Sequence, residues 1–295
     1  MQIKSMVNIF WGEIEHKIIY KNNTYLLGDK LLNDIMFSIK NNLTMIDNQL
    51  LSIYNNFKTV NSTTNQKRKN AEKFLAKIVY DTFAEKMLKS IGFVVDFKEP
   101  CETILHYSFN KMELEGDIYG DIALKSFARV NEIEKRDIDF NSKIKFESDP
   151  IYEDEISKIL GDYMIHKINY EFTWNLFFRI LFEIEPYNNK KDFENFIVFI
   201  KESILSKENI SKIKNNFTKE QSKKVTYDIY KIVVETLIEI DTIEFIYINN
   251  FYKIDDILES EIDNICTQIN SYEEYTKSSE IYIQNIRNSI KSLFD

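Results

Sequence analysis

Residues 163–184 read YMIHKINYEFTWNLFFRILFEI and are apolar on several faces at once around Trp174, Phe177, Phe178 and Leu181. A surface helix turns only one apolar stripe inward, so a segment of this kind belongs at the buried centre of a bundle. Pro186 ends it, because proline brings no N–H to an interior turn and its ring clashes with the carbonyl four residues back. On both sides the pattern is helix upon helix. Phe74, Leu75, Ile78, Val79, Phe83, Met87 and Ile91 form one apolar face with Gly92 as the stop. Ser148, Asp149 and Pro150 offer an N-cap with proline in the first turn, and further helices are expected over 191–206, 218–250 and 253–292. Residues 93–97, FVVDF, have the composition of a strand but are too short and isolated to imply a sheet.

Composition points the same way. The 295 residues are 44% apolar and 29% charged, a globular balance, yet they contain only 6 glycines and 3 prolines. Tight hairpins and Gly-rich phosphate loops are almost excluded by that shortage, and most β architectures with them. A net charge of -9 opposes general binding to a phosphate backbone. Cys101 and Cys266 are too few and too far apart for a disulfide framework or a zinc cluster, which fits a reducing compartment. No uncharged apolar stretch reaches the ~18 residues of a membrane span, and the N-terminus does not read as a signal peptide. A cytoplasmic protein with no membrane contact is expected.

The charge is unevenly distributed. Residues 1–60 sum to +1 and the remainder to -10, with the break near Val60. There the polar run NSTTNQ, residues 61–66, leads into Lys67, Arg68 and Lys69, which reads as a linker entering a helix. We place a domain boundary there, with residues 1–60 on one side and 61–295 on the other. The basic run has no aromatic ladder beside it and reads as a solvated helix terminus. Before the boundary, Leu32, Met36, Ile39, Leu43, Ile46, Leu50, Ile53 and Phe57 alternate in steps of 4 and 3. That heptad stripe predicts a helix of about 28 residues, roughly 42 Å long, laid against a partner. The partner is either an intramolecular helix or, as a homo-oligomer, a second copy.

Complete catalytic constellations are scarce. His106 and His166 sit singly in helical patterns and suit packing or surface roles. Glu13/Glu15, Glu153/Glu155 and Glu261/Asp263 are two residues apart on expected helices and share no face, so they offer no paired-carboxylate chemistry. The opening segment, MQIKSMVNIFWGEIEHKIIYK over residues 1–21, stands out. Gln2 and Lys4 alternate with Ile3 as on a short strand, after which Phe10, Ile14 and Ile18 take up i, i+4 helical spacing. A polar strand end beside a helix N-terminus favours an anion.

This segment closely resembles the end of the synthetase domain of RelA/SpoT-type alarmone synthetases. In that family a strand reading Glu-x-Gln-Ile-Arg-Thr precedes a helix carrying Phe-Trp-x-x-x-Glu-His-x-x-x-Tyr-Lys. Gln2, Ile3, Phe10, Trp11, Glu15, His16, Tyr20 and Lys21 match identically, and Lys4 and Ser5 replace the arginine and threonine conservatively. The family continues into a long helix like the one holding Ile46, Asp47 and Leu50, so the resemblance covers residues 1–58.

The resemblance implies a mainly α chain: the remnant strand and helices of a nucleotidyltransferase-like α/β synthetase domain, followed by an all-helical bundle. It also implies a GTP pyrophosphokinase, which moves pyrophosphate from ATP to the 3′-hydroxyl of GTP or GDP with Mg2+. By the same resemblance Gln2 and Lys4 are nucleotide-binding candidates, and Glu15 and His16 support them from behind. The family's ATP motif, metal aspartate and guanine-stacking tyrosine all precede this strand, and its glutamate would stand immediately before Met1. The expectation is therefore a C-terminal portion of a longer enzyme, silent alone, that binds no metal by itself. Two alternatives stay open: a toxin-type relative that pyrophosphorylates tRNA, and a non-catalytic helical interaction module.

Overall fold

Trp174, Phe177, Phe178, Ile180 and Leu181 are all fully buried, and the body of the protein is arranged around the helix that carries them. The computed structural model describes residues 65–114, 119–185, 187–269 and 271–294. Among them ten α-helices form, and no strand. In order they are α1 Asn65–Ile91, α2 Lys98–Leu114, α3 Tyr119–Glu134, α4 Glu155–Ile168, α5 Phe172–Ile184, α6 Asn189–Ile204, α7 Lys207–Asn216, α8 Lys219–Ile240, α9 Ile248–Gln268 and α10 Tyr272–Lys291. A 3-10 turn, Ile243–Ile246, stands between α8 and α9. The chain divides into two compact units, residues 1–67 with 118–121 and residues 68–117 with 122–295; all the packing that follows belongs to the second. The expected strand and helix of residues 1–21 and the heptad helix of 32–57 lie outside the described residues.

Helix α5 is the core element. It packs against α2, α4 and α6, and its rings meet at the edge-to-face and offset distances aromatic quadrupoles prefer. Trp174 meets Tyr163 edge-on at 5.9 Å and Phe245 at 5.8 Å, while Phe178 meets Phe193 at 5.3 Å and Phe196 at 5.8 Å. Trp174, Phe178, Phe193, Phe196 and Phe245, all fully buried, each contribute about 1.5–3 kcal/mol of transfer free energy. A second layer closes over the first: α8 packs on α10, α4 and α7, and α9 packs on α10, α7, α6 and α2.

Side chains set five of the ten described helix starts. Asp154, Asn188, Ser206, Thr218 and Ser271 each accept a backbone N–H of the first turn, and Thr218 with Gln221 completes a capping box. Gly92 is the stop expected from the sequence: at φ 81° it takes the left-handed position that ends α1, with its N–H on the Leu88 carbonyl at 3.1 Å.

The structure differs from the sequence reading in several places. Residues 163–184 form two helices, because Asn169 leaves the spiral to hold the loop before α4. Its side-chain amide accepts from the Ile144 N–H and donates to the Ile144 carbonyl, both at 2.8 Å. The helix expected from Ser148 begins instead at Asp154, whose carboxylate takes the Ser157 N–H at 3.0 Å and hydroxyl at 2.8 Å. The span 218–250 breaks at Asp241, and 253–292 breaks after Gln268. Pro100 lies in the first turn of α2, where a missing N–H costs nothing. On α1 the buried stripe runs through Leu75, Val79, Phe83 and Met87, while Phe74 is exposed.

Asp241 shows how a chain without glycine turns a corner. It sits at φ 55° and accepts the Tyr163 hydroxyl at 2.6 Å and the Lys167 ammonium at 2.8 Å. Asp and Asn tolerate that backbone better than other side chains. Asp241→Ala is expected to lower stability by about 1–2 kcal/mol in urea unfolding, and Asp241→Asn by less, because asparagine keeps the left-handed tolerance and one acceptor.

Candidate functional site

The four residues singled out by the resemblance, Gln2, Lys4, Glu15 and His16, lie outside the described residues. Within the helical body the polar groups gather in two places: a cleft beside α1, and a closed cluster between α2, α5 and α6.

The cleft is built on α1, α2 and the first turn of α9. Arg68 and Glu72 are one turn apart on α1 and pair Nε to Oε1 at 2.5 Å. The Arg68 guanidinium also reaches the Asn110 amide oxygen. The other Glu72 oxygen, Oε2, lies 3.0 Å from Nδ1 of His106 on α2. Burial pushes the Glu72 carboxyl up, but the His106 and Arg68 hydrogen bonds and charges outweigh it and hold it below its ordinary value. A carboxylate only accepts, so Nδ1 carries the hydrogen. In neutral His106 that leaves Nε2 as the basic nitrogen, and it has no hydrogen-bond partner among the described residues.

His106 lines a cavity of about 140 Å³ with Lys69, Lys73, Glu102 and Tyr252. Lys69 lies 5.8 Å from the Tyr252 ring centre, and that ring meets His106 edge-on at 6.4 Å. Lys73 and Glu102 also border a larger groove of about 810 Å³, which continues past Tyr80, Lys77, Val94 and Lys98. Asp81 and Asp96 face these lysines from the same groove, so it balances charge instead of attracting one sign. Such a cleft suits a small polar ligand with groups of both signs, met by an oriented imidazole base.

Two sequence readings change here. The run Lys67, Arg68 and Lys69 is not a solvated terminus throughout, since the Arg68 side chain is only 15% exposed and clamps Glu72. His106 does more than pack. His166, by contrast, lies against Tyr170 at 4.8 Å on the surface side of α4, in keeping with a surface role. The spacing of Arg68 and Glu72 by four residues was a readable pairing signal. The distance of 34 residues from Glu72 to His106 was not.

The second cluster joins Ser108 and Lys111 of α2 to Glu185 at the end of α5 and Asp192 in α6. Glu185 and Asp192, seven apart across a helix break, share the Lys111 ammonium. Among the described residues no group of three or more His, Cys, Asp and Glu side chains is placed to hold a metal ion, and no helix is long and apolar enough to cross a membrane. Cys101 is buried and Cys266 half-buried, neither in a disulfide; burial pushes both thiols up, away from thiolate reactivity. No protein-family model, curated protein or solved structure matches the chain.

Glu72 gives this site a pH signature. A carboxylate held below its unfolded value of about 4.5 contributes stability that is fully present above that value and is lost as pH falls through the lowered folded value. Glu72→Gln is expected to cost about 1–3 kcal/mol at pH 7 by leaving Arg68 and His106 without their anion. The difference in Tm between wild type and variant should narrow below pH 4. An equal gap at pH 7 and pH 3.5 would show that the carboxylate charge does not anchor the cleft.

Proposed function

We propose that the chain belongs functionally with the RelA/SpoT-type synthetases. In this reading residues 1–58 contribute the acceptor-nucleotide side of a pyrophosphate-transfer site, and the helical body is a binding extension. The observation that carries it is the ordered identity of Gln2, Ile3, Phe10, Trp11, Glu15, His16, Tyr20 and Lys21 with the family's strand-and-helix motif. Lys4 supplies positive charge near the nucleotide phosphates and Gln2 a hydrogen-bonding amide. Glu15 and His16 fix the helix behind them. In the family the groups that hold the ATP phosphates and Mg2+ stand ahead of this motif.

The test uses the chain together with whatever its gene encodes directly upstream. That protein is incubated with Mg2+, ATP labelled on the β-phosphate, and GTP, GDP or tRNA as acceptor. A labelled 3′-pyrophosphorylated nucleotide is expected, reduced at least about tenfold by Lys4→Ala or Gln2→Ala; the 295-residue chain alone should give none. Label on tRNA would assign the toxin-type acceptor. Absence of product with every acceptor would remove the enzymatic reading.

A second reading, a non-catalytic helical module that binds a small polar ligand, is favoured by the oriented His106 in the cleft. A ligand at 100 times its Kd stabilises the folded chain by about 2.7 kcal/mol, which moves Tm by several degrees. With free amino acids, GDP and pyrophosphate as probes, a rise in Tm that His106→Ala abolishes is expected on this reading. Equal behaviour of wild type and variant with all of them would count against it.

A further inference from the structure

A buried polar cluster between α5 and α6 is used by neither reading above. Glu185, the C-cap of α5, is 3% exposed and accepts the Ser108 hydroxyl and the Lys111 ammonium, each at 2.5 Å. Asp192, at the start of α6, is fully buried. Its nearer oxygen is 3.7 Å from the same Lys111 nitrogen, and neither oxygen has a hydrogen-bond partner of acceptable geometry. Lys111 also lies 4.4 Å from the centre of the Tyr187 ring.

Two carboxylates thus share one ammonium, and the closer bond goes to Glu185. An ionised carboxylate without donors in a dry interior costs far more than a neutral one, so a proton placed on Asp192 relieves both its desolvation and its repulsion from Glu185. Glu185 has two donors and no such need. The charged and titratable groups acting on Asp192 come from each neighbouring element: Glu185 from the end of α5, Lys111 from α2, Arg129 from α3 and Tyr187 from just before α6. On its own helix, Lys190 and Lys191 are engaged with Glu194, at 4.0 and 3.8 Å. Burial first and the Glu185 charge second push the Asp192 carboxyl from 3.8 to about 7, against the weaker pull of Lys111, the Tyr187 N–H and Arg129.

We infer that Asp192 is a proton-operated latch between α5 and α6: with a proton bound it lies neutral beside Glu185 and Lys111, and on losing it the start of α6 opens to let water reach the carboxylate. The sign follows from linkage. The closed latch holds a proton that the open latch releases between about pH 4 and 7, so opening becomes easier as pH rises through that window and levels off above it. Acidification tightens the latch. Each pH unit inside the window changes the opening equilibrium by about tenfold.

The experiment is carried out on the full chain with aspartate labelled with 13C at Cγ. A carboxyl resonance titrating near pH 7, absent from Asp192→Asn, is expected. Hydrogen exchange at the amides of residues 187–192, corrected for its intrinsic pH dependence, should be at least about tenfold faster at pH 7.5 than at pH 5.5 in wild type and flat in Asp192→Asn. An Asp192 resonance that titrates below pH 5 overturns the latch, as does the same exchange profile in wild type and variant. If Asp192→Asn does not fold, the missing-peak comparison is replaced by assigning the wild-type resonance through the Asp192 backbone, and its titration midpoint decides.

Discussion

Burial of one helix on nearly every side is the constraint to which the rest of this body conforms. Helix α5 carries nine apolar side chains in 13, so its neighbours must supply an apolar shell, and they do so with rings: Tyr163 from α4, Phe193 and Phe196 from α6, Phe245 from the turn before α9. Aromatic side chains bury much area with few rotamers to freeze, which suits a core that must be dense without branched packing from a sheet. The second layer of α7 to α10 then covers what the first leaves exposed.

The shell has polar seams where α2 passes. Arg68, Glu72 and His106 satisfy one another at an open seam, and Ser108 and Lys111 satisfy Glu185 at a closed one beside Asp192. The difference between them is access to solvent. The open seam can exchange its partners with a small molecule. In the closed seam Asp192 is the member with the weakest partners, its nearer oxygen 3.7 Å from the Lys111 nitrogen. Helix α2 serves both, presenting His106 to the cleft and, one turn on, Ser108 and Lys111 to the interior.

How much of this was legible in the sequence depended on range. Local rules read well: the helical character of residues 65–91 and 163–184, the stop at Gly92 and the absence of a sheet near residues 93–97 all follow from composition and periodicity. The breaks at Asn169 and Asp241 were missed because neither is a strong breaker alone. Asn169 departs from the helix to bind Ile144, 25 residues away, and Asp241 turns because Tyr163 and Lys167, more than 70 residues earlier, hold its carboxylate. Both polar seams escaped for the same reason, since Glu72 meets His106 and Lys111 meets Glu185 only after the helices pack. Periodicity records which face of a helix turns inward but not which residues of two helices meet there.

Punctuation by polar side chains leaves the bundle open to one kind of error. Asn188, Ser206, Thr218 and Ser271 each start a helix only a few residues after another has ended, and each does so through an N-cap bond worth about 1 kcal/mol. Where a glycine or proline would forbid continuation outright, these residues merely disfavour it. Alanine at Ser206, Thr218 or Ser271 would remove that bond and leave the corner held by packing alone. The molecule's corners are thus written in a script that drift can erase one letter at a time.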